Sequence, residues 1–378
     1  MRIGIDARAL IGPITGIGRY TFEISKRLAM YENTNIALYT PDAVLHEVAE
    51  GFKLGILKSA SNHNRFTKMI WSQTQLPYWA ANDQLDLFWG PTHRLPRFLP
   101  KTITRVVTIH DLVWNYAPQT MRPLSLFMER RLMPEAIAAA DLIIADSQST
   151  ATGITDVFPA CSNKVRVVNL GIFSPPRQSN ITSLSELGLE KPYFLFVGTL
   201  EPRKNLERLL IAFSLIPKLY RDNFNLVISG GRGWGGVNIE RLVFKYGLQD
   251  SVKLLGYIAD QKLAELYANA HFLAMPSLYE GFGLPLVEAM QYGTPVLTSD
   301  SGAMAEVTGD AGLLVDPLSP ESISRGMVLL FSDTELIKSL RLNALRQGKK
   351  FSWKKCATET MAVFEEAIEI RDFRISRR

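Results

Sequence analysis

Short apolar segments alternate with helix-patterned ones along this chain, and the alternation stops once and then restarts. Residues 2–7 (RIGIDA) read as a buried strand, and the stretch after them places Tyr20, Ile24 and Leu28 on one helical face. Residues 35–40, 85–90, 104–111, 141–147 and 164–171 read as further strands, with a helical stretch at 124–140. Residues 172–186 (IFSPPRQSNITSLSE) are polar and carry a Pro pair, which is a linker signal. The pattern restarts at 192–200 (PYFLFVGTL), and 224–231, 251–257, 271–277, 294–300 and 312–317 follow as strands. Such alternation implies parallel sheets with right-handed crossovers. The expected fold class is therefore α/β, with two Rossmann-like, doubly wound domains facing a central cleft. The first is expected over residues 1–175 and the second over 176–354. A length of 378 residues suits two domains. The tail, read as a long amphipathic helix, closes the chain.

Hydrophobic content of 47% and charged content of 21% describe a globular chain. Two cysteines, Cys161 and Cys356, give neither a disulfide framework nor a metal cluster, which fits a reducing cytosol. The opening MRIGIDARAL lacks the shape of a signal peptide, and no apolar run is long enough to cross a bilayer. A cytoplasmic protein is expected, with no nucleic-acid partner. The charge is uneven: residues 1–180 hold 19 Lys+Arg against 14 Asp+Glu, so the whole net +5 lies there. Between Ser59 and Arg131, nine basic and four acidic residues mix with Phe66, Met69, Ile70, Trp71, Phe98, Leu126 and Phe127. Two readings stand side by side: a surface for an anionic membrane or lipid-linked acceptor, or a solvated face over core aromatics.

In open parallel sheets, ligands bind beyond the C-terminal ends of the strands. After residues 192–197 come Gly198, Thr199, Leu200, Glu201, Pro202, Arg203, Lys204 and Asn205. Arg203 offers a planar fork and Lys204 a point charge, both suited to diphosphate oxygens. Cations at a helix start are unfavourable, so their placement implies an anion nearby. After residues 271–275 comes Glu280-Gly281-Phe282-Gly283-Leu284-Pro285-Leu286-Val287-Glu288. Its glycines admit close approach, and Pro285 suits a helix start whose amides bind phosphate. Glu280 and Glu288 flank that start, so one can bind sugar hydroxyls and the other ribose. In the first half, Gly16 and Gly18 form a turn into a helix after the first strand. His110, followed by Asp111, ends the strand at 104–109, where a sugar hydroxyl or developing positive charge could meet it.

These segments resemble glycosyltransferase family 4: GTLEPRKN, EGFGLPLVE and GTPVLTS, with TGIGRY and IHD earlier. The likeness runs from about Met1 to Phe364. The start DARALIGPITGIGRYTFEISKRLA is especially similar to bacterial O-antigen mannosyltransferases and related rhamnosyltransferases that use GDP-sugars. The resemblance implies the GT-B fold, retention of anomeric configuration, and no catalytic metal or other cofactor. It implies that Arg203 and Lys204 hold the donor diphosphate and that Glu280 binds the donor sugar. Glu288 would bind ribose, and Phe282, Gly283 and Leu284, with Gly198, would line the phosphates. Gly16 and Gly18 would approach donor phosphate or acceptor, and His110 the donor sugar. The base would sit near Gly256, Tyr257 and Ile258. The tail helix, about 355–378, would pack back on the first domain. The implied donor is GDP-mannose, and GDP-rhamnose is the alternative. The implied acceptor is a lipid-linked oligosaccharide at the inner face of a membrane. Ser301–Glu306 departs from the commoner Gly-Gly-x-Pro-Glu pattern, on the acceptor side.

No D-x-D triplet occurs, which removes the usual signal for a metal-bridged diphosphate. Gly231-Arg232-Gly233-Trp234-Gly235-Gly236 spells G-x-G-x-x-G, but Asp250 precedes the next strand instead of ending it. A NAD-dependent oxidoreductase is thus disfavoured, and a sugar-nucleotide epimerase remains a separate reading. A glycosidase pairing of Glu280 with Glu288 does not fit the phosphate signals beside them.

Overall fold

The computed structural model describes residues 1–12, 14, 16–44, 50, 56–60, 65–172, 187–235 and 238–376. They form two compact units. One comprises Met1–Leu112, Leu124–Gly171 and Ser352–Arg378, and the other Val113–Pro123 and Ile172–Phe351. The Pro-pair stretch at 173–186 lies outside the described residues.

The first unit holds seven strands: β1 (Arg2–Asp6), β2 (Asn35–Thr40), β3 (Ile56–Ser59), β4 (Leu87–Gly90), β5 (Thr104–Ile109), β6 (Leu142–Ala145) and β7 (Val165–Val167). Their order is β3-β2-β1-β4-β5-β6-β7, with parallel pairing throughout. The second holds β8 (Tyr193–Val197), β9 (Asn225–Ser229), β10 (Val252–Gly256), β11 (Leu273–Met275), β12 (Val296–Ser299) and β13 (Gly312–Val315). Their order is β10-β9-β8-β11-β12-β13, again parallel. Each sheet therefore reverses its direction of growth once, between β1 and β4 and between β8 and β11. These are the topological switch points where ligands collect.

The strands are near-continuous apolar runs because both sheet faces are covered. Every residue of β4, β6 and β8 is buried. In the second unit Phe194 packs on Phe213 and Phe272 at centroid distances of 5.0 and 5.1 Å. Each such ring contributes about 1.5–3 kcal/mol by leaving water. β3 is the one strand without a sequence signal; it is an edge strand of four residues, two of them polar. Trp353–Ser376 lies against β5, β6 and the helix Gly16–Leu28 of the first unit. Its Phe364 meets Trp89 at 5.7 Å. Gly171 marks where the chain meets the start of that helix, since a Cβ there would stand 2.2 Å from the Trp353 nitrogen.

Candidate active site

In the second unit Arg203, Lys204 and Glu280 converge at the switch point between β8 and β11. Gly198 (φ +149°) follows β8, and a Cβ on Gly230, which follows β9, would lie 1.9 Å from the Gly198 carbonyl oxygen. Only glycine allows that passage. Pro202–Lys204 then forms a 3-10 turn, and Asn205 turns left-handed (φ 61°) to start the helix Leu206–Leu215. The buried Asn205 carboxamide donates to the carbonyls of Pro276 and Pro317, at 2.8 and 2.7 Å. That staple ties the turn to the ends of β11 and β13.

So held, the turn directs both cations at Glu280. Lys204 Nζ donates to Glu280 Oε1 at 2.7 Å, and Arg203 Nη1 pairs with Glu280 Oε2. Arg203 also donates to the Tyr279 carbonyl at 3.0 Å and to Glu201 Oε1 at 2.6 Å. Burial would raise the Glu280 pKa, but the charges of Arg203 and Lys204 override it and bring it to about 2. The cations stand in the turn before the helix, not within its first turn, and the anions beside them are Glu280 and Glu201 of the chain itself. Two cations and two carboxylates leave the cluster formally neutral.

Gly283 (φ +94°) begins the helix Leu284–Gln291, with Pro285 in its first turn and no side chain capping it. Its amides are suited to an anion. The Phe282 ring is buried edge-on to Phe351 at 5.6 Å, so its backbone is the part suited to a ligand. Leu284 is half-buried at the helix start. Glu288, one turn on, accepts from the Tyr267 hydroxyl at 2.7 Å. Past β10, Tyr257 is 80% exposed. It lines a pocket of ≈ 630 Å³ with Leu200, Gly231, Arg232, Gly233 and Trp234. The G-x-G-x-x-G run thus contributes to a pocket wall; Gly236 lies outside the described residues. Ile258 is half-buried beside Tyr257.

In the first unit, Gly16 opens the helix Gly16–Leu28 and is exposed, whereas Gly18 is buried. A Cβ on Gly18 would stand 2.6 Å from the Ala9 carbonyl oxygen, so its role in this packing is close contact with the turn after β1. His110 is buried, and both ring nitrogens are committed inside the unit. Nδ1 meets Asp146 Oδ2 at 2.5 Å and Nε2 meets the Pro91 carbonyl at 2.8 Å. A carbonyl only accepts, so Nε2 carries a proton. Burial opposes the charged ring, but Asp146 and Pro91 outweigh it and raise the His110 pKa. This corrects the simple picture of a free ring nitrogen awaiting a hydroxyl.

The sequence reading assigned no role to Glu201, Asn205, Tyr267, His93 or Asp146. Asp146 carried a usable signal, as the residue just after β6, the strand neighbouring β5. Tyr267 lies mid-helix and shows no signal in sequence. Of the aromatic residues in the basic stretch, Trp71 belongs to the core, while Phe98 and Phe127 are 67% and 66% exposed.

Two family models match the chain: Glycosyltransferase Family 4 over residues 14–173, and Glycosyl transferases group 1 over residues 180–347. O-antigen chain mannosyltransferase B of Escherichia coli is 32% identical to this chain, covering 97% of it and 100% of its own length. O-antigen chain mannosyltransferase RfbU of Salmonella typhimurium is 28% identical over 69% of this chain and 70% of its own. A solved structure, sucrose-phosphate synthase from Thermosynechococcus elongatus, superposes with a TM-score of 0.78 at 21% identity. It covers 98% of this chain and 99% of that one, a likeness of fold.

Proposed function

The chain belongs to glycosyltransferase family 4, and from that premise we propose that it moves mannose from GDP-mannose onto a lipid-linked oligosaccharide, with retention and without a metal. The observation that carries this reading is the Arg203–Lys204–Glu280 cluster beside the uncapped helix start at Gly283. A nucleotide diphosphate entering there exchanges carboxylate partners of the two cations for phosphate oxygens, and adds the helix amides. As the bond from anomeric carbon to phosphate oxygen breaks, negative charge grows on the diphosphate. Arg203 and Lys204 stabilise that charge in place of a metal. Retention requires the acceptor oxygen to arrive on the face the diphosphate leaves. The leaving phosphate oxygen then takes the acceptor's proton.

Glu280, its lone pairs released as the cations turn to phosphate, accepts hydroxyls of the donor sugar. Glu288, steadied by Tyr267, takes the ribose hydroxyls. Among the described residues no helix is long and apolar enough to cross a membrane. Contact with a lipid-linked acceptor falls to the peripheral surface of the helix Pro123–Ala139, where Leu124 and Phe127 stand exposed along with Arg130 and Arg131. The proposed location is the cytoplasmic face.

The test is calorimetric titration with GDP, UDP, ADP and NAD, repeated with Glu288→Ala and Arg203→Ala. GDP-selective binding weakened by both substitutions supports the reading. Tight UDP binding removes the mannosyl donor and keeps the transferase; binding of NAD alone overturns both. Retention is read from the anomeric NMR signal of the product, and metal independence from activity in excess chelator. Failure of the protein to pellet with anionic liposomes removes the membrane part.

A further inference from the structure

The turn after β4 folds back over the end of β5. His93 lies in it with φ +64°, a left-handed conformation in which glycine and asparagine are more at ease. The His93 main-chain N–H donates to the Thr108 carbonyl at 3.2 Å. His93 Nε2 accepts the main-chain N–H of His110 at 2.9 Å. Since that N–H can only donate, Nε2 bears no proton and the ring proton sits on Nδ1, facing Glu129 Oε2 at 3.5 Å. Glu129 is held in turn by Arg94 at 3.1 Å. Two residues before His93, the Pro91 carbonyl accepts from His110 Nε2 at 2.8 Å. One turn therefore grips His110 twice, by its main chain and by its ring, and both histidines are buried.

We propose that His93 is a positioning residue for His110, its Nε2 fixing the end of β5 so that His110 meets the donor sugar in one orientation. This rests on the reading that His110 contacts that sugar. A turn with no further task is served without strain by glycine, or nearly so by asparagine. Neither carries an acceptor that reaches as far as Nε2. Histidine is the residue that meets both demands, because one ring nitrogen takes the N–H while the other faces the Glu129 carboxylate.

The test compares His93→Leu, His93→Gly, His93→Gln and His110→Ala in the full chain, with GDP-mannose turnover and hydrogen exchange as readouts. His93→Leu and His93→Gly are expected to lower kcat about 10- to 100-fold with little change in KM. His93→Gln, which keeps an acceptor at similar reach, is expected to restore most of it. Exchange of the His110 amide is expected to quicken in the leucine and glycine variants and not in the glutamine one, an arm that needs no donor. Combining His93→Leu with His110→Ala is expected to add little to the larger single loss. Normal kcat in His93→Leu beside a slow His110→Ala overturns the inference, as does unchanged amide exchange. Normal turnover in His110→Ala instead overturns the reading beneath it. Should His93→Leu fail to fold, His93→Gly decides, since it fits the backbone: normal kcat there sinks the proposal.

Discussion

The two units place charged clusters at equivalent ends of their sheets but build them differently. In the second, Arg203 follows β8 and Glu280 follows β11, the neighbours across the switch point. In the first, His93, His110 and Asp146 follow β4, β5 and β6, the strand that borders the switch and the two beyond it. The second cluster pairs Arg203 and Lys204 with carboxylates that the proposed diphosphate would replace. The first is centred on a ring whose nitrogens already have acceptors, so it has little left to exchange. The lesson is a division of labour: exchangeable charge at the switch point, fixed geometry beside it.

The largest effect expected from this contrast is in stability. Glu280→Ala leaves Lys204 buried without its carboxylate, and should cost about 3–5 kcal/mol in urea unfolding. Asp146→Ala should cost less, because His110 can release its proton and stay in place as a neutral ring donating to Pro91. A larger loss for Asp146→Ala would break the comparison.

The second effect is in the pH profile, where the two clusters act at opposite ends. Glu280 has its pKa lowered from 4.5 to about 2, chiefly by Arg203 and Lys204 against the burial that opposes them. Between those values the unfolded chain binds the extra proton, so stability falls as pH drops through the window. His110 has its pKa raised from 6.5 by Asp146 and Pro91, against burial. Its contribution is complete below 6.5 and fades as pH rises through the raised value. Glu280→Gln should flatten the acid limb and His110→Gln the alkaline limb, measured by melting temperature against pH. Flattening of the same limb by both would show that the clusters are not separate titrating systems.

The second cluster was far more legible in sequence than the first. Glu201, Arg203, Lys204 and Asn205 stand within five residues, and Glu280 opens a run that ends at Glu288. Glycines on both runs announce the close approaches that the structure shows. The sheets were legible for the same reason, since buried parallel strands read as plain apolar runs. The first cluster is assembled from β4, Pro123–Ala139 and β6: His93 and Asp146 reach His110 from 17 and 36 residues away, and Glu129 reaches His93 from beyond His110. No local spacing encodes such a meeting. His93 needs a left-handed backbone that no neighbouring residue signals. The commitment of both His110 nitrogens depends on the Pro91 carbonyl, and a main-chain acceptor leaves no mark in sequence.

The smallest effect sharpens the comparison at two buried tyrosines that serve the clusters in parallel. Tyr267 donates to Glu288 at 2.7 Å, while Tyr20 shares a hydrogen bond with Thr108 at 3.1 Å and sets its ring edge-on to His110 at 5.0 Å. Removing either hydroxyl should cost about 1 kcal/mol of stability. Only Tyr267→Phe should also weaken nucleotide-diphosphate binding, because it loosens Glu288, the carboxylate proposed above to take the ribose hydroxyls. Tyr20→Phe acts on a framework with nothing to exchange, and its binding isotherm should match that of the parent chain. Equal weakening by both substitutions would mean that the first cluster, too, responds to the nucleotide. Fixed geometry and exchangeable charge would then not be divided between the two units.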